Sequence, residues 1–148
     1  MSLSNSYNIT LVGNPNCGKT AIFNLLTGMY QKVSNYPGTT VVSKNSKMQI
    51  KDSRFNIVDL PGTYSIVPET IDEKIVTKNL FDIQGKPDRN IVVCIIDSNN
   101  ISRNLFFASQ VIELGVPTII VLNMIDRLEK RNLSVNIDEL KKISNVAD

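Results

Sequence analysis

The sequence contains no histidine, no tryptophan and only two cysteines. Without histidine, the chain lacks the commonest general base, the commonest neutral metal ligand and every Ser-His-Asp or Cys-His nucleophile. Cys17 and Cys94 lie far apart and have no metal-ligand spacing, which favours a reducing, cytosolic setting. Any chemistry must therefore depend on carboxylates, amides, hydroxyls, lysine or the backbone.

Hydrophobic runs long enough to cross a membrane are also missing. The longest uninterrupted run, Ile91 to Ile96, is far shorter than the roughly 20 residues of a membrane span. Residues 1–4 lack the basic and apolar blocks of a signal peptide, and we interpret them in part as a cloning scar. We therefore expect no direct insertion of this chain into a membrane.

The overall charge is nearly balanced. A formal net charge of +2 on 148 residues is too small to indicate a nucleic-acid partner. Up to Val58, however, Asp52 is the single acid among several basic residues. This asymmetry is compatible with an anionic ligand, although scattered surface lysines explain most of it equally well. The basic residues are Lys19, Lys32, Lys44, Lys47, Lys51 and Arg54.

The chain has no repeats, low-complexity tracts or linker-like stretch, so residues 1–148 are predicted to form a single domain. Short apolar runs alternate with segments of helical spacing, which predicts a three-layer α/β fold with a mostly parallel sheet and one antiparallel strand. Ligands bind such sheets at the carboxyl ends of the strands. The predicted strands are 9–12, 41–50, 55–58, 91–96 and 118–122, and the predicted helices cover 22–29, 71–80, 105–112 and 137–143.

Smaller features mark the ends of these elements. Residues 30–39 are polar and are predicted to form a loop. Ser102 is predicted to cap the third helix, which stops at Gly115. Asn136, with Glu139 three residues later, is typical of a capping box at the start of the last helix.

Residues 13–20, GNPNCGKT, match the phosphate-binding pattern G-x-x-x-x-G-K-[ST] between a predicted strand and a predicted helix. Backbone N–H groups of such a loop point at phosphate oxygens. Lys19 would reach the β- and γ-phosphates, and the Thr20 hydroxyl would hold Mg²⁺. The alternative is a chance match in a turn. The predicted nucleotide contacts here are Gly13, Asn14, Pro15, Asn16, Cys17, Gly18, Lys19, Thr20 and Ala21.

Cys17 lies within this loop, where a thiol near positive charge could be reactive. Its position in the pattern is one of the variable ones, so we interpret it as a permissive loop residue.

Two further segments are predicted to sense Mg²⁺ and the γ-phosphate. The DLPG segment ends a strand, where Asp59 would order Mg²⁺, directly or through water, and the Gly62 N–H would bond the γ-phosphate. In the YPGTTV segment, Thr40 stands immediately before a strand and is preferred to Thr39 as an Mg²⁺ ligand, while Gly38 and Thr39 are predicted nucleotide contacts. The alternatives are an ordinary turn at Gly62 and ordinary β-favouring threonines.

The NMID segment at the end of strand 118–122 is predicted to bind the base. A carboxylate only accepts hydrogen bonds, so Asp126 matches guanine, which presents a ring N–H beside an exocyclic amine. Asn123 would tie this loop to the phosphate loop. Met124, where a lysine is usual, can still cover the base with its apolar stem.

These motifs together resemble the translation-factor-related P-loop GTPases and, most closely, the N-terminal G domain of the FeoB ferrous iron transporter family. The resemblance runs from about Asn8 to Asp126 and weakly on to Asp148. The segments that carry it are GNPNCGKT, YPGTTV, DLPGTYS, Asp72-Glu73-Lys74, Arg103-Asn104-Leu105, ELGVP at 113–117 and NMID.

The resemblance implies an Mg²⁺-dependent GTPase that binds GTP and GDP and regulates ferrous iron uptake. In the intact protein, a helical spacer domain and a membrane permease would follow, with this domain on the cytoplasmic side of the bacterial inner membrane. It also implies that Asn16 lets K⁺ sit beside the nucleotide, whereas an amide in such a loop can equally be structural. Homo-oligomerisation stays open. The resulting catalytic residues are Lys19, Thr40, Gly62 and Asn16, and the metal-binding ones are Thr20, Thr40, Asp59 and Asn16.

The sequence also departs from a generic GTPase. Thr63 follows Gly62 where many GTPases carry a water-positioning glutamine, and no arginine lies between Met29 and Ser53. Slow intrinsic hydrolysis is therefore expected. The alternatives are a soluble GTPase of ribosome or tRNA maturation and a nucleotide switch that barely hydrolyses.

Since the chain stops before the usual last strand, helix and base-pocket loop, we interpret it as a C-terminally truncated G domain, or one whose end is disordered or removed, with weakened base binding.

Overall fold

The computed structural model describes residues 5–144, and the interpretation of residues 1–4 lies outside that range. Strands and helices alternate along most of this part of the chain. The strands are β1 (Asn5–Gly13), β2 (Lys32–Asn35), β3 (Val42–Ile50), β4 (Ser53–Asp59), β5 (Asn90–Asp97) and β6 (Thr118–Asn123). The α-helices are α1 (Lys19–Thr27), α2 (Ile71–Gln84), α3 (Ile101–Glu113), α4 (Ile125–Glu129) and α5 (Ile137–Ser144).

The six strands form one sheet in the order β2-β3-β4-β1-β5-β6. Neighbours from β4 to β6 are parallel, whereas β3 is antiparallel to both β2 and β4 and is thus the one strand that runs against the others. This confirms the predicted fold class. In the register, Leu11 lies beside Asp59 and Gly13 beside Ile95, so the carboxyl ends of these strands meet at one edge of the sheet.

Helices cover both faces of the sheet. On one face, α2 and α3 pack on Val12 and Ile96 through side chains such as Leu80 and Phe107, all of them fully buried. On the other face, Phe23 of α1 lies in a second cluster, which contains Leu11, Cys17, Ile57, Val93 and Ile95. The core therefore has two halves, and the strand that leads into the phosphate loop is buried between them.

Several helix ends and short elements differ from the predictions. Ser102 does not cap α3, because a 3-10 turn at Ser98–Asn100 precedes the helix and Asn100 occupies the N-cap. Asn136 does cap the last helix, since its Oδ1 accepts from the Glu139 N–H at 3.1 Å. The predicted loop at 30–39 contains the short edge strand β2, whose residues are all exposed, and α4 was not predicted. Within residues 5–144, no helix is long and apolar enough to span a membrane.

Candidate nucleotide-binding site

The phosphate loop connects the carboxyl end of β1 to the first residue of α1. Its backbone turns through positive φ angles at Asn16 (62°) and Gly18 (88°). A Cβ at Gly18 would collide with the Asn123 side-chain amide, so the loop requires glycine there. The loop borders a cavity of about 280 Å³, lined by Asn14, Pro15, Asn16, Gly18, Lys19, Thr20, Ala21 and Gly62.

Asp59 is the centre of a buried polar cluster at the end of β4. Its Oδ1 accepts from Lys19 Nζ in an ion pair whose side chains are 4% and 10% exposed, respectively. Its Oδ2 accepts from the Thr20 hydroxyl at 3.1 Å. The structure thus brings together three of the residues predicted to bind phosphate or Mg²⁺. A hydroxyl beside a carboxylate is an oxygen donor set that suits Mg²⁺, which is commonly completed by phosphates and water.

The DLPG segment packs directly on the phosphate loop. A Cβ at Gly62 would stand 2.9 Å from the backbone N and Cα of Pro15, so only glycine allows this approach. The Thr63 N–H donates to the Gly13 carbonyl at 3.1 Å. Gly62 is therefore held beside the residues that would surround the terminal phosphate.

Thr39 and Thr40 have different surroundings. The Thr39 hydroxyl donates to the Tyr36 carbonyl at 3.0 Å and accepts from the Val41 N–H at 3.2 Å, so it is used within its own turn. Thr40 is exposed and lines a second cavity of about 510 Å³, together with Lys19, Thr20, Asp59 and Gly62. This contrast favours Thr40 as the metal ligand. Gly38 has a φ of 73° and open space at its Cβ position.

Two of the three NMID residues predicted to bind the nucleotide, Asn123 and Met124, lie beside the phosphate loop. Asn123 Nδ2 donates to the Cys17 carbonyl at 2.9 Å, which is the predicted link between the loops. Met124 Cε lies 3.4 Å from the Cβ position of Gly18. Asp126 is exposed in the first turn of α4, and its carboxylate lies 3.9 Å from Lys130 Nζ.

Sequence reasoning missed three residues that touch the site. Asn99 Nδ2 donates to the Met124 carbonyl at 3.3 Å and supports a residue whose φ is 60°. The Arg103 guanidinium lies 4.1 Å from the ring centroid of Tyr64, just after the DLPG segment. Lys44 lines the larger cavity. The RNL segment contains Arg103, and the excess of basic residues before Val58 includes Lys44. Neither pattern predicted where these two side chains lie in the site.

Cys17 is 1% exposed and packs in the core beneath the loop. Burial is the main influence on its thiol and raises its pKa, and burial likewise raises the pKa of Cys94 to about 12. A thiol held in its neutral form is a weak nucleophile, which supports the permissive interpretation of Cys17. Within residues 5–144, no three His, Cys, Asp or Glu side chains form a group able to hold a metal.

Comparison with known proteins gives one consistent family. Residues 7–147 match the family model for ferrous iron transport protein B. The Fe(2+) transporter FeoB of Leptospira biflexa is 42% identical over 134 residues, which are 90% of this chain and 19% of that protein. The Escherichia coli K12 transporter FeoB is 41% identical, over 89% of this chain and 17% of its own length. The chain thus spans less than a fifth of these relatives.

Solved structures agree with this result. An NFeoB mutant from S. thermophilus, bound to mGDP, is 39% identical with a TM-score of 0.82 and matches 93% of this chain and 51% of its own. The G domain of the T. maritima FeoB iron transporter is 36% identical with a TM-score of 0.79, over 93% of this chain and 81% of its own. The chain therefore belongs to the ferrous iron transport protein B family and corresponds to its N-terminal G domain.

Proposed function

We propose that this domain binds GTP, hydrolyses it to GDP and phosphate with Mg²⁺, and thereby regulates ferrous iron uptake by the permease of the intact protein. The observation that carries the proposal is the cluster of Lys19, Thr20 and Asp59 beside the phosphate loop. The S. thermophilus relatives are described as bound to mGDP and to GDP, which supports the choice of a guanine nucleotide.

Each part of the cluster has a role in binding. The loop N–H groups hold the phosphates at the start of α1, and Lys19 turns from Asp59 toward the β- and γ-phosphates. Oxygens of Thr20, Asp59 and Thr40 would hold Mg²⁺, which neutralises phosphate charge when bound. The Gly62 N–H donates to the γ-phosphate. Nucleotide binding therefore reorganises the Lys19–Asp59 pair and orders the segment at Thr40.

Hydrolysis breaks the bond between the γ-phosphorus and its bridging oxygen and forms a new bond to a water oxygen. Thr63 cannot take the place of the missing glutamine, because it is 1% exposed. Its hydroxyl already contacts the Ser65 carbonyl at 2.9 Å and the Glu73 carboxylate at 3.3 Å. Water must therefore be positioned by backbone groups or by other residues, and intrinsic turnover is slow.

The Asn16 side chain would help to bind a K⁺ ion that stimulates GTP hydrolysis. Its side chain is exposed at the cavity of the phosphate loop, on a residue held at a φ of 62°. An amide oxygen at this position, next to loop carbonyls and phosphate oxygens, is a suitable ligand for a monovalent cation. In the intact protein, a helical spacer domain and a membrane permease are the proposed partners, and the domain faces the cytoplasm.

GTP turnover with Mg²⁺, measured in K⁺ and in Na⁺, tests this proposal. We expect faster phosphate release in K⁺, and we expect Asn16→Ala to remove the difference while still binding GDP. Asn99→Ala, which alters a neighbouring loop instead, is expected to keep the K⁺ dependence. A cation-independent wild-type rate would contradict the role of Asn16.

A second candidate is a nucleotide switch with negligible hydrolysis. The engaged hydroxyl of Thr63 favours it, because this residue leaves no side chain to orient water. The same experiment distinguishes the candidates, since a switch would bind GTP with Mg²⁺ and release no phosphate in either salt. A ribosome- or tRNA-associated role is disfavoured by membership of the iron transporter family.

A further inference from the structure

Lys44 lies on β3 at the wall of the cavity that contains Thr40, Asp59 and Gly62. In the antiparallel register of β3 and β4, Lys44 stands directly opposite Asp59. Residues paired in this way point to the same face of the sheet, with Cβ atoms about 5 Å apart. The Lys44 side chain is therefore directed to the same end of the site as the Asp59 carboxylate.

This lysine is half-buried and has no ion pair or side-chain hydrogen bond within the part of the chain that the structure describes. The carboxylate on the paired residue of β4, Asp59, is already bound by Lys19 and Thr20. Asp72, at the start of α2, lines the same cavity but forms no ion pair with Lys44 among the described residues. A half-buried lysine whose ammonium has no acceptor among the described residues is available for an anionic ligand at this wall.

Charge favours one ligand. A triphosphate carries more negative charge than one Mg²⁺ neutralises, and the charges of Lys19 and Asp59 cancel. Among the described residues that line the cavity, Lys44 is then the remaining cation and Asp72 the remaining carboxylate, so Lys44 is the side chain on this wall that can bind a further phosphate. We propose that Lys44 binds the terminal phosphate of a nucleoside triphosphate and so distinguishes GTP from GDP. This inference rests on the proposed function, and it gives part of the basic excess before Val58 a specific role.

The test compares Lys44→Met with Lys47→Met, a matched change to an exposed lysine on the same strand. Binding of a non-hydrolysable GTP analogue and of GDP, both with Mg²⁺, is measured by calorimetry. Loss of a charged hydrogen bond to phosphate is expected to weaken analogue binding by Lys44→Met about tenfold, with GDP binding unchanged. Lys44→Arg is expected to recover most of the affinity, and Lys47→Met to match the wild type.

Two results would overturn the inference: equal losses for the analogue and GDP in Lys44→Met, or no loss relative to Lys47→Met. If the wild type bound neither nucleotide, the proposed function itself would fail instead. If Lys44→Met did not fold, as judged by thermal unfolding, Lys44→Gln would be measured in the same way. Asp72→Asn adds an independent arm, because removing a negative charge from this cavity is expected to tighten binding of the analogue alone.

Discussion

The loss of one partner from the ion pair between Lys19 and Asp59 is expected to destabilise the fold strongly, because both side chains are almost fully buried. Removing one partner of such a pair leaves an uncompensated charge in the interior. We predict that Lys19→Met lowers the free energy of unfolding, without nucleotide, by about 3 kcal/mol. Chemical denaturation of the nucleotide-free domain measures this loss.

A double variant separates charge burial from packing. Lys19→Met with Asp59→Asn is expected to recover most of the stability, since the neutral amide no longer needs a cation. Lys130→Met is the control, because its pair with Asp126 is exposed and contributes at most about 1 kcal/mol. If Lys19→Met were as stable as the wild type, the buried pair would have no structural role.

Residues whose position follows from a local pattern could be predicted from the sequence. The spacing of the phosphate loop placed Lys19 and Thr20, and the predicted link from Asn123 to the phosphate loop is found at the Cys17 carbonyl. Lys44 and Asn99 could not be predicted, because their positions depend on strand register and on a turn between distant segments. The prediction that Ser102 caps α3 was wrong for a local reason, since α3 begins at Ile101 directly after a 3-10 turn and Asn100 is its N-cap.

At the scale of elements, α2 is joined to the DLPG segment by its own N-terminal cap. The Thr70 hydroxyl accepts from the Glu73 N–H at 3.2 Å, and Glu73 Oε2 accepts from the Thr70 N–H at 3.0 Å, forming a capping box. The other oxygen of Glu73 accepts from Thr63 at 3.3 Å. The cap that starts the helix therefore also holds the segment after Gly62.

This capping box predicts a pH-dependent stability. The backbone N–H of Glu69 is the main cause that lowers the Glu73 pKa below its usual value of 4.5. A carboxyl with a lowered pKa stabilises the fold above that usual value, and the contribution is lost as the pH falls through its folded pKa. We predict that Glu73→Gln is less stable than the wild type near pH 7, by about 0.5 kcal/mol after solvent screening.

The difference in unfolding midpoint between Glu73→Gln and the wild type should shrink as the pH falls below 4.5 and vanish below the folded pKa of Glu73. Thr70→Ala is the matched change in the same cap. It removes an uncharged hydroxyl and should cost about 1 kcal/mol at pH 7, without adding a titrating group. A gap between Glu73→Gln and the wild type that stayed constant down to pH 3 would contradict the assigned role of the carboxylate.

Periodicity predicted the long elements and failed for the short ones. Helices α2 and α3 bury apolar side chains at helical spacing, so their existence could be predicted. Helix α1 was predicted from its apolar spacing, but Leu25 and Leu26 are exposed, and Phe23 is the apolar side chain that it buries. Strand β2 has only exposed residues and is held by backbone bonds to β3, so its side chains carry no pattern. Helix α4 has five residues, too few for a helical period to repeat.

At the scale of the whole molecule, the parallel order of β4, β1, β5 and β6 brings distant loops to one edge of the sheet. The phosphate loop, the DLPG segment and the NMID segment each follow one of these strands. The alternation of strands and helices along the chain predicts this arrangement, because parallel strands place their carboxyl ends together. The predicted base site thus lies two strands from the phosphate loop and is joined to it through Asn123.

The position of Asp126 at the end of this assembly predicts the nucleotide preference of the domain. Its exposed carboxylate can accept from the ring N–H and the amine of guanine, which adenine does not offer. We predict that the wild type binds GTP at least about tenfold more tightly than ATP. Asp126→Asn should reverse the preference toward xanthosine triphosphate, because an amide can donate to the xanthine oxygen.

Competition against a fluorescent GDP measures all three nucleotides in one assay. Asp138→Asn is the matched control, since Asp138 is also an exposed acid in the first turn of a short helix but lies outside the site. Its nucleotide preference should equal that of the wild type. Equal affinity of the wild type for GTP and ATP would contradict the role of Asp126. The contacts at Asn123 and Met124 would then hold the loop in place without reading the base, because neither contact involves the Asp126 carboxylate.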